Sequence, residues 1–141
     1  MEGICNVKVK YDNVWVIFKP RFNRELTDEI YRMLSKFDKV KFGMGFNQPI
    51  DKLPNSITHL EFISNFNQPV DNLPNSLTHL EFGDYFNQPV DNLPDSVEQI
   101  KFGEEFNQPL KSLLSSLKKL IIHEDYEYEL PSNIEIKKFR E

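Results

Sequence analysis

A single cysteine, Cys5, stands in the whole chain, so no intramolecular disulfide can form. That fits a reducing, intracellular setting, a cytoplasmic one, better than an oxidising one. No run of apolar residues approaches the roughly 18 that a membrane-spanning helix needs. The stretch from Met1 to Lys10 has neither an apolar segment nor a small-residue cleavage site, so it does not read as a secretory signal. An excess of basic charge is missing as well. The net charge of −5 argues against nonspecific nucleic-acid binding as the main role. Glycine is scarce, at 5 residues in 141, and no glycine-rich phosphate loop, Walker pattern or G-x-G-x-x-G fingerprint occurs. The expectation is therefore no membrane partner, no nucleic acid and no cofactor. With 39% hydrophobic residues, the chain still has enough apolar material for one globular core.

Phenylalanine and proline are what the chain has in excess, with 12 and 9 residues against a single tryptophan. Internal repetition accounts for both. Phe-Asn-Gln-Pro begins at Phe46, Phe66, Phe86 and Phe106, a spacing of 20 residues with no insertion. Leu53-Pro54-Asn55-Ser56-Ile57 recurs as Leu73 to Leu77 and as Leu93 to Val97. A short apolar alternation follows, in Leu60-Glu61-Phe62, Leu80-Glu81-Phe82, Ile100-Lys101-Phe102 and Leu120-Ile121-Ile122. Eight of the 12 phenylalanines occupy just two positions of this unit.

The unit has a physical reading. In Leu77-x-x-Leu80-x-Phe82 the last residues alternate, so Leu80 and Phe82 face one side of a short strand and His79 and Glu81 the other. Two prolines per unit forbid a regular helix in the remainder and push their predecessors to extended geometry. The return path should be extended, with one tight turn near Asn75-Ser76. One strand and one extended return make one coil of a solenoid, and a coil buries its apolar face only against its neighbours. Stacking at the sheet spacing of about 4.8 Å would align the phenylalanines in two interior columns, as offset or edge-to-face pairs. Asn47, Asn67, Asn87 and Asn107 would form a polar column beside them, bonded to backbone of their own coil and the next. Gly43, Gly83 and Gly103 follow the strand phenylalanine, where a sharp bend or a positive φ is expected.

At this point the residues resemble a known family. L-x-x-L-x-F-G-x-x-F-N-Q-P, carried by Leu77 to Pro89, resembles the FNIP, or FGxxFN, class of leucine-rich repeats of giant DNA viruses and social amoebae. The likeness covers about residues 37–122. L-P-x-S-L-x-x-L also resembles the repeats of bacterial leucine-rich-repeat effectors. The resemblance implies a right-handed curved solenoid with parallel strands on its concave face. It also implies a presumed role in protein binding, no catalytic motif and, for viral members, a place in the host cytoplasm. The expected fold class is thus α/β, mostly β and irregular: a leucine-rich-repeat solenoid capped by a β-hairpin and a helix.

The ends depart from the unit. Val7, Val9 and Tyr11 alternate with lysines, Asp12-Asn13 can turn, and Val14 to Phe18 follows, which reads as a hairpin. Leu26, Ile30, Met33, Leu34 and Phe37 mark one face of an amphipathic helix of about 13 residues. Toward the C-terminus Leu114 replaces a proline and Tyr126-Glu127 replaces Phe-Asn, while Ile134 to Phe139 suggests a last, charged strand. The expected division is an N-terminal cap over 1–37, repeats over 38–122, and a degenerate repeat with a C-terminal cap over 123–141.

No catalytic constellation emerges. Ser56, Ser76 and Ser96 are templated by the repeat and read as turn or cap residues. Cys5 has no locatable base and reads as a small hydrophobe or an inert thiol. His59 and His79, with Glu61 and Glu81 beside them, are zinc-capable residue types. The next coil has Gln99 and Lys101 instead, and repetition alone would stack these residues, so no metal is expected. The outward strand positions vary where repetition would let them be constant. One row runs Lys39, His59, His79, Gln99, Lys119 and its neighbour Lys41, Glu61, Glu81, Lys101, Ile121. A face of mixed charge suits protein recognition, although a merely solvated face would look the same. The candidate binding residues are His59, Glu61, His79, Glu81, Gln99, Lys101, Lys119 and Ile121, with a protein partner whose affinity would respond between about pH 5 and 7. The alternative is a substrate adaptor of a ubiquitin ligase, because Glu25 to Leu34 faintly resembles an F-box helix.

Overall fold

The computed structural model describes residues 3–10, 13–111 and 115–141. A turn at Asp12-Asn13, the position of Leu114, and the side chains of Cys5, Val7, Val9 and Tyr11 lie wholly or partly outside the described residues. Strands β1 (Cys5–Lys10) and β2 (Asn13–Phe18) form an antiparallel hairpin. Helix α1 (Asp28–Leu34) follows, then β3 (Lys39–Phe42), β4 (His59–Phe62), β5 (His79–Glu81), β6 (Gln99–Lys101), β7 (Lys119–His123) and β8 (Glu135–Phe139). All eight lie in one sheet in chain order, and β2 to β8 run parallel. From β3 to β7 the register joins each residue to its counterpart 20 positions on, as in Leu60 with Leu80 and Glu61 with Glu81. The architecture is a β-solenoid of the leucine-rich-repeat type. A parallel sheet needs a long crossover between strands, and here the extended return path supplies it.

The two phenylalanine columns form as the repeat implies, and each ring is at most 2% exposed from Phe42 to Phe106. Edge-to-face contact is not used. The rings of successive coils lie parallel, with centroids 5.4 Å apart for Phe42 and Phe62 and 6.1 Å for Phe66 and Phe86. The two columns also stack on each other within a coil, at 3.7 Å for Phe82 and Phe86. One continuous aromatic stack therefore runs through the molecule, and burial of that area is the main force holding coil to coil.

The hairpin and helix do more than lie over the first coil. Val16 and Ile17 pair with Val40 and Lys41, so β2 is the first strand of the parallel sheet. Phe18 stacks on Phe42 at 4.6 Å and Phe22 on Phe46 at 6.0 Å. Residues from Val16 onward thus make an atypical coil in which α1 replaces part of the return path. The helix has 7 residues instead of about 13. Thr27 caps its start, with its hydroxyl oxygen accepting from the Ile30 N–H, and bonds from Lys36 and Phe37 to Met33 and Leu34 tighten its end into turns. At the other end Tyr126 stacks on Phe106 at 6.1 Å, in the place of the next phenylalanine.

Three local expectations change. The coil that holds the Asn75-Ser76 turn has further turns, at Asp71-Asn72 and after the strand at Asp84-Tyr85. The serine of the Asn-Ser turn is a tie between coils, since the Ser76 hydroxyl donates to the Ile57 carbonyl at 2.6 Å and Ser96 to Leu77 at 2.6 Å. Gly83 and Gly103 do not adopt positive φ; among the described glycines only Gly3 does. Their reason is close approach, because a Cβ on Gly83 would lie 2.1 Å from the Ile63 carbonyl oxygen and one on Gly103 2.3 Å from that of Gly83. Ile63 escapes this constraint where β3 and β4 stay paired through Phe42 and Phe62, and its side chain is 40% exposed.

The asparagine column is half-buried, and its partners lie in the following coil. The Asn67 side-chain oxygen accepts from the Asn87 N–H at 3.0 Å and from Gln88 Nε2 at 3.1 Å. Asn47 and Asn87 do the same for the next coils. Asn23 begins the ladder by accepting from the Asn47 N–H at 2.9 Å, and Glu127 ends it with its N–H on Asn107. Among the described residues no buried side-chain polar atom lacks a partner. None of their helices is long and apolar enough to cross a membrane.

Candidate interaction face

All eight candidate residues fall on one side of the sheet. Strands β3 to β7 bury alternate residues, so β4 hides Leu60 and Phe62 and presents His59 and Glu61. Register then lines the presented residues in two rows. The first is Lys39, His59, His79, Gln99, Lys119 and Glu135; the second is Lys41, Glu61, Glu81, Lys101, Ile121 and Lys137. The central six line a shallow depression of about 80 Å³, and Lys119 and Ile121 continue the rows on β7.

The two glutamates of the second row are neutralised in place. Lys41 Nζ meets Glu61 at 2.7 Å and Lys101 Nζ meets Glu81 at 2.5 Å, so each glutamate turns to the lysine on its outer side. Lys119 sits 3.5 Å from Glu135. These half-exposed pairs contribute only about 0–1 kcal/mol each, but they fix where the charges stand.

His59 and His79 stack with centroids 4.2 Å apart and planes 7° from parallel. The Nδ1 of each lies 2.9 Å from the hydroxyl of the threonine before it, Thr58 or Thr78. Burial first, then His79 and Lys39, lower the pKa of His59, with Asp38 opposing. Among the described residues no group of three or more His, Cys, Asp or Glu is placed to hold a metal.

Sequence reasoning missed Trp15 and Ile17. Ile17 pairs with Lys41, which sets Trp15 in the row of Lys39, and the indole meets His59 edge-on at 6.2 Å. The signal was present: Phe18-x-x-x-Phe22-Asn23 matches Phe42-x-x-x-Phe46-Asn47, and aligning them assigns Trp15 to the row. The helix segment thought similar to an F-box places Ile30 and Leu34 in the solenoid core.

A search of curated proteins gives no match to this chain. Among solved structures it is similar to CroV588, a giant-virus protein described as a novel circular LRR protein, at 23% identity with a TM-score of 0.45. That likeness covers 94% of this chain and 31% of the other, so the chain spans about a third of its relative's length. The model of the FNIP repeat matches residues 46–85, 69–105 and 86–125. These matches span more than half of the sequence, and the chain belongs to the FNIP repeat family.

Proposed function

We propose that the chain is a non-catalytic scaffold for protein–protein interaction and that its partner docks on the outward strand face. The observation that carries this reading is the contrast between the two sides of each strand. Inward positions repeat almost without change from Leu60 to Leu80 to Ile100, whereas outward positions change from His59 and Glu61 to Gln99 and Lys101. Packing explains the constancy inside, and nothing in packing demands the variation outside. A stiff ladder of short strands also holds its side chains ready, so little ordering entropy is lost on docking.

Affinity capture from the native cell, read by mass spectrometry, tests this. The double variant Glu61→Lys, Glu81→Lys should change the captured set, whereas Asp71→Lys with Asp91→Lys on the exposed return path should leave it unchanged. An identical set from wild type and the strand-face variant would rule the face out.

A further inference from the structure

We propose that the partner of this face is an extended acidic segment of a protein, lying across the strands along the row from Trp15 to Lys119. This deepens the interaction reading and rests on it.

Charge distribution is the first support. The two rows from β3 to β8 hold five lysines against three glutamates, although the chain as a whole carries −5. The balancing acidity lies elsewhere, as in the exposed column Asp51, Asp71 and Asp91 on the return path. A negative segment is thus drawn to the strand face and repelled from the return path.

Hydrogen-bond chemistry is the second. The Thr58 carbonyl already accepts two N–H groups, from Thr78 at 2.9 Å and His79 at 3.0 Å, which fill its two lone pairs. The Thr78 hydroxyl lies 3.1 Å from that carbonyl and 2.9 Å from His79 Nδ1, so its hydrogen is better placed on the imidazole. The Asp38 carbonyl and Thr58 hydroxyl repeat the arrangement for His59. Both imidazoles then carry their proton on Nε2. With the lysine ammonium groups, the Gln99 amide and the Trp15 indole, they make the row rich in donors, which is what a carboxylate-bearing segment requires.

Dimensions are the third. Six strands at about 4.8 Å spacing put about 24 Å between Trp15 and Lys119, the length of about seven extended residues. Trp15 and Ile17 at one end and Ile121 at the other offer apolar anchors for the ends of such a segment.

Acidification should strengthen binding, because protonating His59 adds positive charge facing the ligand. The groups around the stacked pair are Lys39 in β3 and Asp38 just before it, Lys41, Glu61 and Glu81 in the neighbouring row, and Lys101 beyond; the two nearest glutamates are held by lysines.

Fluorescence anisotropy with labelled decaglutamate, decalysine and a decathymidine oligonucleotide tests the proposal on the intact chain. Decaglutamate should bind, about threefold or more tightly at pH 5.5 than at pH 7.5, and a His59→Asn, His79→Asn variant should lose that gain. Lys39→Gln with Lys119→Gln should weaken binding by about tenfold, with thermal melts confirming that the variant folds. Raising salt on wild type should weaken it in the same direction. No decaglutamate binding, binding insensitive to the lysine variants, or preference for decalysine would overturn the proposal. Decathymidine binding as tightly with the same sensitivities would overturn it too, since the face would then read polyanions. So would self-association abolished by the lysine variants, which would make another copy's return path the occupant. If captured proteins respond to the strand-face variant while decaglutamate does not bind, this inference falls and the interaction reading stands.

Discussion

Replacing Asn87 with alanine removes one acceptor that serves two donors. Its side-chain oxygen takes the Asn107 N–H at 3.0 Å and Gln108 Nε2 at 3.1 Å. Gln108 keeps a contact with the Asn87 carbonyl at 3.3 Å, so it loses only part of its bonding. The Asn107 N–H is left half-buried with no acceptor. One lost net bond contributes about 1 kcal/mol and the stranded donor about 1 more, so the variant should lose about 2 kcal/mol. For a domain of this size that is a fall of about 6 °C in melting temperature. Asn87→Asp is the informative companion, because a carboxylate still accepts from both donors and should cost less. Asn107→Ala should also cost less, since its side chain bonds only the exposed Glu127, taking its N–H at 3.3 Å and donating Nδ2 to its carboxylate at 3.0 Å, where water replaces both. Thermal unfolding followed by circular dichroism measures all three. A wild-type melting temperature for Asn87→Ala, or an aspartate as damaging as the alanine, would refute the ladder as a source of stability.

Gly83→Ala should cost about 3 kcal/mol or more in chemical denaturation, because the new Cβ meets backbone 2.1 Å away; Gly45→Ala, whose nearest atom is 2.9 Å away, should cost less. Phe86→Ala empties the middle of the aromatic stack and should cost about 3–5 kcal/mol in the same assay. His59 gives a pH signature. Its folded pKa lies below the unfolded value, so the unfolded chain binds more protons and the stability it contributes is lost as pH falls from about 6.5 through the folded value. A His59→Asn variant should therefore lose less stability than wild type between about pH 7 and 5, measured by urea unfolding; equal losses would refute the assignment.

The repeat alone determined the coil length, the strand positions, the parallel stacking and the two aromatic columns. A strict 20-residue period leaves one way to bury two phenylalanines per coil, which is to set them above their copies. It also determined which side of each strand faces out, since alternation in Leu80-Glu81-Phe82 has a period of two. The tertiary structure decided what depends on neighbours in space. It set the asparagine oxygen on the next coil's N–H, and it made the glycine after the strand a matter of contact with Ile63 instead of backbone sign. It made the hairpin and short helix a coil of their own, which brought Trp15 beside His59. It also joined Glu61 to Lys41 and Glu81 to Lys101 as two ion pairs, because charges interact through distances across strands and a linear sequence does not state which oxygen a lysine will reach.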